Sequence, residues 1–214
     1  MITSPLHRQF TGEDAAITVD RNRFRYSLTT PPTLEPVTLD EAKLFARVDG
    51  TADDALVTSL IVSARQNVEG QTGRSLIDQT RTATLDFLPN ANEYELAFRP
   101  ISSVTSIKAY NDDGTSEAVD VGSDIIVDES NARIALKADA ASITGDRQME
   151  VFEIVYVAGY GATAADVPEW AKTAIKMLVS HYYENRETVA LGTIATTIPM
   201  HVQLLIDQNC VVEL

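Results

Sequence analysis

The sequence predicts an α+β fold: a small helical bundle, built from two N-terminal helices and a long third helix, with a β-rich insert between the second and third. Three observations carry this. A capped helical pattern runs over residues 38–73, the period changes to alternation over 79–158, and helical spacing returns after Val167. The boundaries follow as an N-terminal arm (1–29), a helical core (30–78 and 159–187), a β-rich insert (79–158) and a C-terminal segment (188–214).

Residues 1–29 show no sustained period. Thr29-Thr-Pro-Pro-Thr-Leu-Glu-Pro-Val then places three prolines within six residues, which favours an extended lead-in and excludes a helix there. Thr38-Leu-Asp-Glu opens the first helix, because a threonine hydroxyl caps free amides and Glu41 three residues later completes a capping box. Val48-Asp-Gly-Thr ends it. A second helix is predicted from near Ala52 to about Thr72, with Leu56, Leu60, Ala64 and Val68 at four-residue steps as its core stripe and Val57 and Ile61 beside them. Gly73 supplies its stop.

Alternation then takes over. Ala83, Leu85 and Phe87 share one strand face, as do Tyr94, Leu96 and Phe98. Asn111-Asp-Asp-Gly reads as a hairpin turn after Val104 to Tyr110. Val151-Phe-Glu-Ile-Val-Tyr-Val is apolar on both faces, as a central strand packed on two sides would be, and Gly159-Tyr-Gly breaks it. Asp166 is the expected cap of the third helix, with Pro168 in its first turn. The predicted buried stripe of that helix is Trp170, Ala174, Met177 or Leu178, and His181 or Tyr182. After Glu187 a β-branched stretch containing Gly192 leads to Pro199 and a short terminal helix over Val202 to Ile206.

Composition narrows the function. Of 214 residues, 44% are hydrophobic, enough for a sizeable core, and the net charge of -14 disfavours tight binding to nucleic acid, which requires clustered cations to release phosphate counterions. No membrane-length apolar run is present, and the N-terminus lacks the apolar centre of a signal peptide, so folding in the cytoplasm is expected. The single Cys210 has no partner for an internal disulfide.

The motifs that carry chemistry are missing. His181 and Glu184 are three apart on a helix, a spacing able to feed a metal, but no second pair faces them. Asn111-Asp-Asp-Gly lacks the closing glutamate of a calcium loop, and turn chemistry accounts for it. Gly159-Tyr-Gly-Ala-Thr-Ala lies between strand and helix as a phosphate loop would, yet has neither the third glycine of a dinucleotide site nor a Gly-Lys-Ser/Thr. No catalytic residue, metal site or cofactor is expected.

Several runs resemble the phage head-tail connector (adaptor) family. These are Thr30-Pro-Pro-Thr-Leu-Glu-Pro-Val-Thr-Leu-Asp-Glu-Ala-Lys-Leu-Phe-Ala-Arg-Val-Asp, Asp53-Asp-Ala-Leu-Val-Thr-Ser-Leu-Ile and Val68-Glu-Gly-Gln-Thr-Gly-Arg-Ser-Leu. Further matches follow in order at Arg99-Pro-Ile-Ser-Ser-Val, Val155-Tyr-Val-Ala-Gly-Tyr-Gly, Val167-Pro-Glu-Trp-Ala-Lys and His181-Tyr-Tyr-Glu-Asn-Arg-Glu. The resemblance implies a non-enzymatic virion protein of the neck, assembled in the host cytoplasm as a ring, normally dodecameric, under the portal protein. It also implies a downstream neck or stopper protein as partner, DNA passing through the bore without specific binding, and no membrane. In relatives the C-terminal segment grips the portal, which makes Ile194, Ile198, Pro199, Leu204, Leu205 and Ile206 the docking candidates. Another neck component, a stopper or tail-completion protein, is the alternative, with an enzyme of unrecognised site behind it; stoppers are mostly β, so helices over 39–73 and 167–187 would disfavour that reading.

Overall fold

The computed structural model describes residues 24–86, 93–129, 131–137, 145–147, 149–185 and 199–210. Over these residues the fold is mixed α+β, with four helices and two antiparallel sheets.

β1 (Arg25–Thr30) pairs antiparallel with β2 (Gln79–Leu85) and forms the edge of the larger sheet. The end of the stretch read as an arm is therefore strand. Its residues are nearly all exposed, so no alternation marked it in the sequence. α1 (Leu39–Ala46) carries the expected capping box: the Glu41 amide donates to Thr38 Oγ1 at 3.3 Å, and the Thr38 amide donates to Glu41 Oε2 at 2.8 Å. The Thr38 amide, together with the Thr38 hydroxyl donating to the same oxygen at 2.9 Å, holds the Glu41 carboxyl below its ordinary value. α2 (Asp54–Thr72) stops at Gly73, whose φ of 65° is the left-handed C-cap conformation that favours glycine.

The core stripe of α2 is rotated from the one expected. Val57, Ile61, Ala64 and Val68 are buried, whereas Leu60 packs at the rim and Leu56 is half-buried. The face continues through Arg65, Glu69 and Thr72, polar residues that a hydrophobic pattern does not count, and they shift its centre by one position.

The larger sheet has the order β1-β2-β8-β4-β5, with β4 (Ile101–Tyr110), β5 (Ser116–Val119) and β8 (Phe152–Ala158). The smaller has the order β3-β7-β6, with β3 (Glu93–Glu95), β6 (Ile125–Asp128) and β7 (Arg133–Leu136). β8 is the middle strand, but only Phe152, Ile154, Tyr156 and Ala158 are fully buried, and the opposite face is half-buried. That opposite face pairs Val155 with Thr82 and Ser106, and Val157 with Thr80 and Ser103, a hydroxyl-rich surface. The inward face joins Tyr94, Leu96, Ile107 and Ile134 in one apolar cluster. Asn111-Asp-Asp-Gly is the β4–β5 turn, with Gly114 at φ 84° and the Thr115 amide donating to Asp113 Oδ1 at 2.8 Å.

α3 (Glu169–Glu184) buries Ala171, Ala174, Ile175, Leu178 and Val179; Trp170, Met177 and Tyr182 pack half-buried at its margin. Asp166 does not cap it. Its carboxylate instead accepts from the Thr163 amide and hydroxyl at 3.0 and 2.7 Å, and Pro168 is the N-cap. α4 (Met200–Asp207) inserts Val202 and Ile206 into the cluster shared with α1, α2 and α3.

Candidate docking surfaces

The two apolar clusters are separate, and the chain joins them through a polar junction. Backbone bonds stitch it: Ser75 N donates to Arg99 O at 3.1 Å, Asp78 N to Gly161 O at 3.0 Å, and Gly159 N to Pro100 O at 3.0 Å. Gly159 is required there, because a Cβ would lie 2.3 Å from the Asp78 amide nitrogen.

Inside the junction lies a buried ion network. Arg65 Nη1 donates to Glu69 Oε2 at 2.9 Å and Arg65 Nε donates to Glu35 Oε2 at 2.8 Å. The other Glu69 oxygen accepts from the Leu76 amide at 2.9 Å and from Gln79 Nε2 at 2.8 Å. Arg81 lies 3.7 Å from Glu69, donates to Ser75 Oγ at 2.9 Å, and stacks its guanidinium 3.5 Å above the Phe98 ring centre. Burial pushes the Glu69 carboxyl up and the Arg81 guanidinium down from their ordinary values. Desolvation is the largest cause for both groups, so removing one partner would leave the others buried without compensation. Nothing in the sequence marked it except an Arg-Glu pair four apart on a helix, which ordinarily signals a solvated face.

Of the docking candidates, Ile194 and Ile198 lie outside the described residues. Pro199 caps α4, Leu205 is half-buried, and Leu204 is exposed. Ile206 is 1% exposed and committed to the chain's own core, which removes it as a surface anchor. A single apolar run could not show which of its residues would face inward. The α4 end is tied to α2: Gln203 Nε2 donates to Gln71 Oε1 at 3.0 Å, and Arg74 Nε donates to Asn209 O at 2.9 Å. Of the core candidates, Ala64, Val68 and Leu178 are buried, while Leu56, Leu60, Trp170 and Tyr182 are half-buried.

Of the large apolar side chains left facing out among the described residues, Leu44, Phe45, Met200 and Leu204 lie on α1 and α4, while Leu28, Leu34, Ile126 and Met149 lie on strands and connections. Leu44 and Met200 are 83% and 87% exposed, with Phe45 and Leu204 beside them in sequence. Among the described residues no group of His, Cys, Asp or Glu is placed to hold a metal ion, and no helix is long and apolar enough to cross a membrane. The His181 ring lies 3.2 Å from Asn185 Nδ2, next to its own helix end. A polar hollow beside β3 and β7 has its acids already paired, Glu93 with Arg133 and Glu95 with Arg99.

The described residues form two apolar clusters joined by a polar junction, with exposed apolar side chains on α1 and α4. The chain belongs to the Head completion protein family, whose model matches residues 35–208. It is a structural component of a phage-like particle. Among curated proteins, none is similar enough in sequence to be matched. The fold is that of chains in the neck of a gene transfer agent (GTA) particle. One, from the neck of an empty particle computed with C6 symmetry, has a TM-score of 0.73 and 22% identity, covering 89% of this chain and 97% of that one. Another, from the virion of the native particle, has a TM-score of 0.69 and 23% identity, covering 88% and 96%. A third, from the native neck computed with C12 symmetry, has a TM-score of 0.67 and 22% identity, covering 88% and 97%.

Proposed function

We propose that this chain is the head-tail adaptor of its particle, a neck subunit that closes into a ring under the portal, joins it to the next neck protein and leaves a bore for DNA. The observation that carries this reading is the likeness to neck chains along nearly their whole length, in particles computed with ring symmetry. The helices act as one small bundle, since all four contribute to a single apolar cluster, and the two long ones favour an adaptor over a mostly-β stopper. Identical subunits joined head to tail close such a ring because each uses two different faces. The net charge of -14 suits a protein that DNA passes without adhering.

Portal docking falls to residues 188–199, with Ile194 and Ile198 as anchors and Pro199 at the entry to α4. The helix α4 serves as the clamp that fixes this segment to the bundle. Deleting 188–214 is therefore a poor test, because it also strips Val202 and Ile206 from the core. A cleaner variant is Ile194→Asp with Ile198→Asp in the full chain, measured for binding to the portal of the same particle. The expected result is lost portal binding with an unchanged melting temperature. Full affinity in the double variant would remove the docking role from this segment.

A further inference from the structure

The helical region leaves two apolar ridges uncovered, and they lie at different ends of the same helix. α1 sits against the start of α2, where Lys43 Nζ bonds Asp54 Oδ1 at 2.5 Å, and α4 sits against its end, where Gln203 bonds Gln71. Asp54 and Gln71 are seventeen residues apart, about 25 Å along a helix at 1.5 Å per residue. Both short helices pack on α2 and α3, and neither packs substantially on the other. One copy therefore cannot cover its own ridges by bringing them together.

The outward faces match in spacing and, at the Arg47 and Asp207 end, in charge. On α1 and its C-cap they read Asp40 and Glu41, then Leu44 and Phe45, then Arg47 at the cap, all exposed. On α4 they read Met200 and His201, then Leu204, then Asp207, also all exposed. Aligned in the same direction, Glu41 stands opposite His201, Leu44 opposite Leu204, and Arg47 opposite Asp207, each set spaced three residues apart. An apolar centre is thus flanked at one end by acids facing an imidazole and at the other by a guanidinium facing a carboxylate.

We infer that these two faces are partners between neighbouring copies: Leu44 and Phe45 of one subunit pack against Met200 and Leu204 of the next. The contact is heterologous, with a different face used on each side, so it propagates around a ring instead of stopping at a dimer. Repetition around a closed ring multiplies a contact that would be weak in a single pair. This inference rests on the ring reading above and assigns Leu204 to the neighbouring subunit rather than to the portal. It also accounts for α4 being apolar on two sides: Val202 and Ile206 hold the helix to its own subunit, and Met200 and Leu204 face the next.

The test uses the full chain with Cys210→Ser as background and adds Leu44→Cys and Leu204→Cys, either in separate copies or together. A short bismaleimide is applied with and without the portal, and mass is read by light scattering on the same samples. The expected result is an assembly of many times the 23.3 kDa chain. Within it the mixture of single variants gives a two-chain band, the double variant gives a ladder, and each single variant alone stays uncrosslinked. Arg47→Glu is expected to weaken self-association, and Asp207→Lys in the same chain to restore it, which a folding defect would not do. A large assembly without the mixed crosslink, or with crosslinking by either single variant alone, would overturn the α1–α4 contact and leave the ring standing. A chain that stays at one-copy mass with and without the portal would overturn the ring and this contact with it.

Discussion

The helical region and the β lobe bury their interiors alike but meet solvent differently. The lobe turns hydroxyls and acids outward, with Thr80, Thr82, Ser103 and Ser106 across the middle strand and exposed Asp112, Asp113, Glu117 and Asp120 around the β4–β5 hairpin. The helices leave two clustered pairs in water, Leu44 with Phe45 and Met200 with Leu204, whereas the lobe's exposed Ile126 and Met149 stand singly in sequence. The most exposed large apolar side chains, Leu44 and Met200, are on the helices, although the lobe also exposes Ile126 and Met149. Backbone bonds and the Glu69 ion network link the two across the polar junction.

The comparison breaks first at the junction. Glu69→Ala leaves Arg65 and Arg81 buried without their shared carboxylate and is expected to cost about 3 to 5 kcal/mol in urea unfolding. A loss below about 1 kcal/mol would mean that water or a shifted side chain replaces Glu69.

Next in size is Ile206→Ala, which tests whether α4 belongs to the subunit or waits for a partner. Its burial predicts a loss of about 2 to 5 kcal/mol in the isolated chain. No loss would place α4 outside the free subunit's core.

A smaller effect is expected from Thr38→Ala, which removes the α1 cap and costs about 1 kcal/mol. The same change removes the hydroxyl bond to the Glu41 carboxyl and should raise it part of the way toward its ordinary value, because the amide at position 38 still donates, measurable by NMR titration. The folded-state value is the lower one, so the unfolded chain binds more protons in that range. The cap's contribution is present above the ordinary glutamate value and is lost as pH falls through the depressed one.

The smallest change in stability, within about 0.5 kcal/mol, is expected for Leu44→Asp and Leu204→Asp, because both side chains are already in water. Their effect should appear in assembly instead, as lost self-association at unchanged melting temperature. A large drop in stability would place these residues in the subunit's own packing.

What the sequence made legible follows from which physics is local. The Thr38 box, the Gly73 stop and the Asn111 turn depend on a few neighbouring residues, and each stands where it was read. The centring of α2 was missed because Arg65 and Glu69 occupy core positions, and a search for apolar period discards charges. β1 was missed because an exposed edge strand has no buried alternation to display. The division of the β-rich stretch into two sheets was not legible either, since alternation gives faces but not pairing partners. For the C-terminal run, five apolar and polar residues in a row indicated a helix but could not say that Val202 and Ile206 turn inward while Leu204 turns out.

The most direct test of the central claim is the mass of the purified chain, alone and mixed with the portal of its own particle, by light scattering. The account predicts a stoichiometric complex containing a ring of copies on the portal, whatever the state of the free chain. A chain that remains at 23.3 kDa and leaves the portal unbound would contradict it.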